Sequence, residues 1–249
     1  MARVFITGST DGLGLIAAGM LLERGHDVVL HARNAERAQA AKKLLPGAGA
    51  VLIADLSDMD ATKRLAAEVN RLGPFDAVIH NAGVYRAPKA AIFAVNVLAP
   101  YILTALIDRP KRLVYLGSGM HLQGNGETDG LSPETGVSYS DSKLLVLILA
   151  LTVARQWPDV CVNTVDPGWV PTKMGGPGAP DDLQAGAETQ VWLASGDDAA
   201  FSGRYLFHKK TASHARAADD EHAQEKLLER CFEISGIRLA DRHTVSQEK

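Results

Sequence analysis

Short apolar runs alternate with longer segments in which apolar residues recur every three or four positions. The runs are rich in Val, Ile and Leu and end at polar or turn-forming residues, which is typical of buried strands, whereas the longer spacing is typical of helices. The pattern predicts strands at residues 3–6, 27–32, 50–54, 75–80, 112–116, 160–165 and 203–207. It predicts helices at residues 15–25, 35–45, 58–72, 90–107, 138–156, 181–194 and 218–234.

This alternation predicts an α/β fold with a doubly wound parallel sheet of about seven strands, covered by helices on both faces. A chain of 249 residues without an internal repeat or a linker fits one domain. We therefore expect residues 1–249 to form a single domain, with residues 211–249 as a helical C-terminal tail packed on it. Residues 119–136 form a polar, glycine-rich segment without periodicity, which predicts a loop.

The composition narrows the class of protein. Hydrophobic residues make up 46% and charged residues 22%, as in ordinary globular proteins. A net charge of −3 without a basic run predicts no nucleic-acid partner. Only two cysteines, Cys161 and Cys231, no signal segment and no apolar run of the ~18 residues that a membrane span needs predict a cytoplasmic protein without a membrane partner. The eight histidines lack metal-ligand spacing, so we expect no metal site.

Tyr139 and Lys143 form a pair with chemical potential. They are four residues apart on a predicted helix, which places them one turn apart on the same face. A nearby ammonium group favours the phenolate form, so the pKa of the tyrosine would fall and the phenol could act as an acid or base. Such a pair is common on helix surfaces, so the assignment depends on the residues around it.

Polar residues and glycines come directly after the predicted strands. In an open α/β sheet, ligands bind outside the carboxyl ends of the strands, so these residues would meet in one crevice. In chain order, the first six strands are succeeded by Gly8, Arg33, Asp55, Asn81, Ser118 and Pro167.

Gly8, Gly12 and Gly14 lie between the first predicted strand and helix. Glycines there let the backbone turn tightly and approach a pyrophosphate, which the N–H groups and dipole of the next helix would stabilise. The alternative is a structural turn without a ligand. The position of these glycines between a strand and a helix favours a dinucleotide site. The residue after the second strand then indicates which dinucleotide binds.

Arg33 comes after the second strand, where a carboxylate would bind the 2′-hydroxyl of NAD and repel the 2′-phosphate of NADP. A guanidinium suits phosphate, so we predict NADP(H) over NAD(H). Arg33 could also be an ordinary surface residue. Asp11, within the glycine-rich turn, opposes the prediction because it adds negative charge near the expected adenosine end.

The motifs taken together resemble those of the short-chain dehydrogenase/reductase family. The resemblance covers residues 3–208 and implies a Rossmann fold with a dinucleotide-binding and catalytic domain. Residues 121, 139–143 and 167–172 look most similar to retinol dehydrogenase-like and protochlorophyllide reductase-like members. The residues that carry the resemblance are Thr7, Gly8, Gly12, Gly14, Asn81, Ala82, Gly83, Asn96, Ser118, Tyr139, Lys143, Pro167 and Gly168.

The resemblance implies catalytic roles for four residues. Tyr139 would be the general acid in carbonyl reduction and the base in alcohol oxidation. Lys143 would lower the phenol pKa and hold the nicotinamide ribose hydroxyls. Ser118 would bind the substrate oxygen, and Asn96 would position a water that links Lys143 to solvent. Ser118 could instead cap the adjoining loop, and Asn96 could be a helix-bend residue bonded to backbone.

The resemblance also implies the cofactor contacts. Asp55 would bond the adenine amino group, unless it belongs to the helix cap at Ser57 and Asp58. Val170 and Thr172 would bind the nicotinamide carboxamide. The full implied set is Gly8, Thr10, Gly12, Leu13, Gly14, Arg33, Asp55, Leu56, Asn81, Ala82, Gly83, Tyr139, Lys143, Pro167, Gly168, Val170 and Thr172.

We therefore predict an NADP-dependent oxidoreductase that interconverts a carbonyl and an alcohol on a small-molecule substrate. Leu122, Trp169 and Met174 favour an apolar or aromatic compound. His121 could belong to the same substrate site or could equally be a loop residue bonded to backbone. The alternative is a catalytically idle NADP-sensing regulatory protein on the same fold. Members of the family commonly form homodimers. The segment between Gly83 and Asn96, where the usual dimer contact lies, is short here, so the sequence does not decide between a monomer and a homodimer.

Overall fold

The computed structural model describes residues 1–240. A single eight-stranded sheet has the order β3-β2-β1-β4-β5-β6-β7-β8, in which β1 to β7 run parallel and β8 is antiparallel. The predicted doubly wound parallel sheet is therefore confirmed. The strands are β1 (Arg3–Ile6), β2 (Asp27–Ala32), β3 (Ala50–Ile53), β4 (Ala77–His80), β5 (Arg112–Leu116), β6 (Cys161–Asp166), β7 (Arg204–Phe207) and β8 (Lys210–Thr211).

Eight α-helices connect and cover these strands within the described residues. A π-helix, Ala94–Leu98, joins α4 to α5, and 3₁₀ helices span Gly119–Gln123 and Arg216–Asp219. The helices are α1 (Gly12–Glu23), α2 (Ala35–Leu44), α3 (Met59–Arg71), α4 (Lys89–Phe93), α5 (Ala99–Leu106), α6 (Tyr139–Gln156), α7 (Leu183–Ser195) and α8 (Glu221–Ser235).

Alternation of side chains along the strands divides the interior into two cores. On β1, Phe5 packs with the layer formed by α3, α5, α6 and α8, whereas Val4 and Ile6 pack with the layer formed by α1, α2 and α7. Because successive strand residues point to opposite faces, a parallel strand buried on both faces is apolar throughout. The strands are recognisable as continuous apolar runs for this reason.

The short strand β8 is missed by the sequence pattern. It connects to β7 through a two-residue turn in which His208 and Lys209 have φ angles of 47° and 62°. Tight hairpin turns require positive φ and normally use Asn or Gly, so His-Lys carries no turn signal. Residues 211–240, predicted to be part of a helical tail, begin with this strand and a 3₁₀ helix before α8.

The segment after β8 covers α6. Leu227 and Cys231 of α8 are fully buried, and Arg155 of α6 donates to the Gln224 side chain at 3.0 Å. The indole of Trp157 donates to the Ala240 carbonyl at 3.0 Å. Residues on every side of α6 are consequently buried, so Tyr139 and Lys143 stand on a helix with little freedom to move.

One stretch among the described residues, Lys89–Leu106, is long and apolar enough to cross a membrane by length and composition alone. It consists of α4, the π-helix and α5, and 61% of it is buried inside the fold. A buried core helix meets the same criteria, so this stretch is weak evidence for a membrane span.

Two glycines of the loop before α6 allow a matched test of its packing. Gly136 has a φ of 58°, and a Cβ built on it would lie 2.1 Å from the carbonyl carbon of Lys89, whereas Gly130 has a φ of 71° and open space around it. We expect Gly136→Ala to lower the free energy of unfolding by about 2 to 5 kcal/mol, since left-handed strain and overpacking add. Gly130→Ala should cost only the strain, about 1 to 2 kcal/mol. Urea denaturation measures both, and equal losses would contradict the proposed docking of this loop on α4.

Candidate active site

The glycine-rich turn after β1 lies directly against the segment after β4. Gly8 has a φ of 62°, and a Cβ built on it would lie 2.8 Å from Ala82 Cα. A Cβ on Gly14 would lie 2.3 Å from Nδ2 of Asn81, which donates to the carbonyls of Thr7 and Gly8 at 2.9 and 3.0 Å. The glycines thus allow close approach of protein segments as well as a tight turn.

A cavity of about 550 Å³, named the cleft, opens along this turn at the carboxyl edge of the sheet. Five of the six residues predicted after strand ends line the cleft, and Ser118 does not. The predicted site residues that line the cleft are Gly8, Thr10, Gly12, Leu13, Arg33, Asp55, Leu56, Asn81, Ala82, Gly83, Tyr139, Lys143, Pro167 and Thr172.

Other predicted residues lie outside the lining of the cleft, namely Gly14, Asn96, Ser118, Gly168 and Val170. Val170 is 4% exposed and packs against Gly186, where an added Cβ would lie 2.8 Å from Val170 Cγ1. A Cβ on Gly168 would lie 2.5 Å from Oδ2 of Asp181. Gly168 and Val170 pack against other protein groups and do not line the cleft. The lining of the cleft therefore gives no support to the prediction that Val170 binds a carboxamide.

The cleft also has lining residues that were not predicted as cofactor contacts. Arg37 lies in the first turn of α2 and His31 in β2, whereas Arg33 belongs to neither element, so no helix or strand spacing linked them to it. The full additional set is Asp11, His31, Arg37, Ser57, Val84, Ala87, Pro88, Ala91, Val95, Leu116, Gly117, Lys173 and Met174.

Cationic side chains surround Asp11 at one end of the cleft. Its carboxylate caps α1 through a 2.9 Å bond from Gly12 N–H, and it accepts from Lys173 Nζ at 2.6 Å, with Arg37 at 3.9 Å. Burial alone would raise the pKa of Asp11, but these bonds and charges lower it. The negative charge that argued against NADP is therefore compensated within the protein.

Asp55 makes the local contacts that competed with its predicted adenine bond. Its Oδ1 accepts from the backbone N–H and hydroxyl of Ser57 at 3.0 and 2.7 Å, and Arg33 Nε lies 3.8 Å from its Oδ2. Asp58, not Ser57, caps α3. Arg33 is 66% exposed, so its pair with Asp55 contributes little stability and leaves the guanidinium available.

Tyr139 is the first residue of α6, at the rim of the cleft. Ser138 caps the helix by accepting from Asp141 N–H at 3.1 Å, which fixes the orientation of its first turn. The ring of Tyr85 approaches Tyr139 edge-on with centroids 4.6 Å apart. The phenol is therefore held between α6 and the segment after β4.

Lys143 is 6% exposed, and its Nζ donates to the Leu116 carbonyl at 2.7 Å, 5.5 Å from the centre of the Tyr139 ring. Burial lowers the pKa of Lys143 to about 8, against the nearby charge of Asp166. Burial raises the pKa of Tyr139 to about 12, although a hydrogen bond with the Ser118 side chain lowers it. The phenol pKa is therefore raised in this structure, opposite to the expected direction, because burial outweighs the other influences.

Asn96 is buried in the π-helix. Its Oδ1 accepts from Val84 N–H at 2.8 Å, and its Nδ2 donates to the Val84 carbonyl at 2.9 Å and to Ser142 Oγ at 3.0 Å. The sequence leaves two roles for Asn96, positioning a water or bonding to backbone at a helix bend. The structure shows the backbone bonds. A Cβ on Gly83 would lie 3.5 Å from Asn96 Oδ1 and 3.8 Å from Lys143 Nζ, so Asn96 and Lys143 still share one small space. π-bulges often occur at functional sites.

His121 bonds to backbone at both ring nitrogens. Nδ1–H donates to the Ser118 carbonyl at 2.7 Å, and Nε2 accepts from Ala215 N–H at 3.2 Å. Burial lowers its pKa. Ser118 itself caps the adjoining 3₁₀ helix by accepting from Met120 N–H at 3.3 Å. His121 thus joins the loop after β5 to the C-terminal segment, and the geometry matches a structural role.

A carboxylate, Asp166, lies beneath the Tyr139–Lys143 pair at the end of β6. It accepts from the Tyr205 hydroxyl at 2.9 Å and from Gly168 N–H at 3.0 Å. Burial is the main cause of the raised Tyr139 pKa, and the negative charge of Asp166 raises it further. The same charge opposes the lowering of the Lys143 pKa by burial. The sequence offered no signal for this contact, because it joins β6, α6 and β7.

Comparisons with known proteins agree with this geometry. A family model described as short chain dehydrogenase matches residues 2–182. The chain is 43% identical to the short-chain dehydrogenase chyC of Penicillium rubens, over 96% of this chain and 99% of that protein. Retinol dehydrogenase 13 of Homo sapiens is a more distant relative, 26% identical over 94% of this chain and 84% of that protein.

Solved structures share the fold. A crystal structure of an uncharacterized protein from Mycobacterium Paratuberculosis has a TM-score of 0.80 and 24% identity, covering 96% of this chain and 95% of that one. A short chain dehydrogenase from Burkholderia cenocepacia, solved in complex with NADP, has a TM-score of 0.68 and 22% identity, covering 83% and 95%. The chain belongs to the short-chain dehydrogenase family. It is an oxidoreductase of small molecules with an NAD(P)-binding fold.

Asp166→Asn tests the electrostatics of the pair. A phenolate beside a carboxylate places two negative charges together, so removing the Asp166 charge should lower the Tyr139 pKa, by about one unit. Ultraviolet titration of phenolate from about pH 8 to about pH 12 measures this against the same variant with Tyr139→Phe. Asp108→Asn, at the opposite edge of the sheet, is the control. An unchanged Tyr139 titration would contradict the assigned influence of Asp166.

Proposed function

We propose that the protein is an NADP-dependent oxidoreductase that interconverts a carbonyl and an alcohol group, with Tyr139 as the acid or base. One observation carries the proposal. Tyr139 and Lys143 line the same cleft as the glycine-rich turn and two arginines, Arg33 and Arg37. A proton donor and a dinucleotide site in a single cavity are what carbonyl reduction requires.

The residues present fit a dinucleotide. The turn at Gly12, with a φ of 50°, opens α1 at the cleft, and a helix N-terminus of this kind favours a pyrophosphate. Leu56 and Asp55 would lie at the adenine, and Lys143 at the nicotinamide ribose. The cofactor, when bound, supplies the hydride.

Tyr139 would supply the proton to the carbonyl oxygen. With a pKa of about 12, the phenol is protonated at neutral pH, so it carries the proton that a general acid donates. The Ser118 side chain, whose interaction with the phenol lowers that pKa, would bind the same oxygen as charge develops on it.

Lys143 and Asn96 would replace the proton that Tyr139 gives up. Lys143, with a pKa of about 8, can lose or gain a proton near neutral pH. A Cβ built on Gly83 would lie 3.5 Å from Asn96 Oδ1 and 3.8 Å from Lys143 Nζ, so the amide and the ammonium group lie near the same point. Val84 holds the Asn96 amide in a single orientation, which suits a fixed relay.

The preference for NADP rests on charge. Arg33 and Arg37 both line the cleft near the end of β2, and Arg37 is paired only weakly, at 3.9 Å, with Asp11. Lys173 compensates Asp11 at 2.6 Å. Two guanidinium groups can therefore turn toward a 2′-phosphate without competing with an unpaired carboxylate.

The substrate we propose is a small apolar or aromatic carbonyl compound. Leu122, Trp169 and Met174 are exposed, at 62%, 59% and 42%, and Met174 lines the cleft. The cleft itself is lined on one side by Val84, Ala87, Pro88, Ala91 and Val95. His121 is taken up by backbone bonds, so the substrate pocket gains no charge from it.

The protein would act in the cytoplasm, and it would bind neither nucleic acid nor a membrane. A homodimer would have to use a surface other than the outer face of α6, which α8 covers. An idle NADP sensor is the alternative function, and it would need the arginines but not Tyr139.

Tyr139→Phe separates the enzyme from the sensor. We expect NADPH to bind as in the unmodified protein, while NADPH consumption falls roughly 100-fold or more because the proton donor is lost. The assay uses whichever member of a panel of ketones, aldehydes and quinones the unmodified protein accepts. Tyr85→Phe, which keeps the edge-on ring, is the control. Undiminished turnover in Tyr139→Phe would remove Tyr139 as the acid.

Arginine substitutions test the cofactor preference. Arg33→Ala and Arg37→Ala should each weaken NADPH binding roughly tenfold, the usual loss for a charged hydrogen bond, and leave NADH binding unchanged. Arg64→Ala, an exposed arginine on α3 outside the cleft, is the control. Fluorescence titration with both cofactors measures the dissociation constants. Tighter binding of NADH than NADPH by the unmodified protein would overturn the preference.

A further inference from the structure

His31 is a buried polar side chain in β2 beneath the cleft, with 2% of its surface exposed. Its Nδ1 lies 3.0 Å from the backbone nitrogen of Gly8, and its Nε2 lies 3.0 Å from the carbonyl oxygen of Ala54. The ring therefore reaches from the glycine-rich turn on one side of β2 to the end of β3 on the other.

The two partners determine the protonation of the ring. The backbone N–H of Gly8 can only donate, and the carbonyl of Ala54 can only accept. Nδ1 must therefore be the acceptor and Nε2–H the donor, so the imidazole is neutral. A proton on Nδ1 would place two donors against each other and break the contact with Gly8.

Further hydrogen bonds make the position of His31 part of the turn. Ser9 N–H donates to the His31 carbonyl at 3.2 Å, and His31 N–H donates to Ser9 Oγ at 2.9 Å. The Ser9 hydroxyl in turn donates to the Ile6 carbonyl at 2.8 Å. The backbone of the turn is thus tied to β2 at Gly8, which lines the cleft, and at Ser9.

We infer that His31 is a positioning residue for the dinucleotide, whose neutral ring fixes the glycine-rich turn relative to the adenine-side residues after β3. Gly8 is at the phosphate end and Ala54 directly precedes Asp55 and Leu56, which line the cleft. The ring sets the distance between two parts of one binding site. This inference rests on the proposed binding of NADP.

The electrostatics of the ring agree with this role. Burial lowers the pKa of His31 to about 4, although the bond to Ala54 and the charge of Asp55 oppose the shift; Arg33, from the end of its own strand, is paired with that carboxylate. Because the folded pKa is depressed, the neutral form is favoured, and stability is lost as pH falls through the unfolded value of about 6.5 toward the folded one. The bridge itself stays intact until the pH approaches about 4.

The test compares His31→Leu and His31→Asn with the unmodified protein by NADPH fluorescence titration. Leu removes both bonds, and we expect roughly tenfold weaker NADPH binding. Asn keeps an acceptor near the position of Nδ1, and we expect binding within about threefold of the unmodified protein, because the bond to Gly8 N–H is restored. Thermal unfolding without cofactor records any general loss of stability.

His26 provides a matched control, because its Nδ1 accepts from the backbone N–H of Ala2 at 3.0 Å, just before the opposite end of the same strand. His26→Leu should leave NADPH affinity unchanged. Equal losses in His31→Leu and His31→Asn, or no loss in either, would overturn the inference while the proposed function stands. If the unmodified protein binds no NADPH, both fall.

A measurement on the unmodified protein covers the case in which His31→Leu does not fold. NADPH affinity should show no inflection from His31 near its ordinary pKa of about 6.5. An inflection there that disappears in His31→Asn would show that the ring titrates normally, and it would overturn the neutral bridge.

Discussion

The close approach of the segments after β1 and β4 is the constraint on which the site depends. These strands are neighbours where the sheet order reverses, the position at which open α/β sheets bind ligands. Thr7 Oγ1 accepts from Ala82 N–H at 3.0 Å, and Asn81 bonds the carbonyls of the turn. With Gly8 and Gly14 lacking side chains, the two segments touch, and the cleft forms along the line where they part. A bulkier residue at Gly8 or Gly14 would push the two segments apart, since its Cβ would lie within 3 Å of Ala82 or Asn81.

The sequence predicted the sheet, and the strand-end residues that line the cleft, for one physical reason. Parallel strands buried on both faces are continuous apolar runs, and the residues at the carboxyl ends of these runs must lie at one edge of the sheet. Gly8, Asp55, Asn81 and Pro167 could therefore be placed together from their positions alone. The same logic fails for β8, because its turn at residues 208–209 uses residues without a turn preference.

The features that could not be predicted are contacts between distant segments and the energies of burial. Burial of Tyr139 reverses the expected direction of the phenol pKa, and the bond from Lys143 to the Leu116 carbonyl joins α6 to β5. Lys173 reaches Asp11 across 162 positions of sequence, and nothing near either residue signals the other. For Asn96 the sequence left two roles open, and the structure shows the backbone bonds of one while placing the amide near the lysine required by the other.

The cover that α8 provides over α6 also matters for how the chain is made. Synthesis proceeds from the N-terminus, and domains generally begin to fold as they emerge. The apolar outer face of α6 is therefore made well before Leu227 and Cys231, which shield it in the finished protein. During that interval the helix that bears Tyr139 and Lys143 exposes an apolar surface, and such surface makes a partly folded chain prone to aggregate. α8, the last helix among the described residues, covers this surface once residues 221–235 have been made.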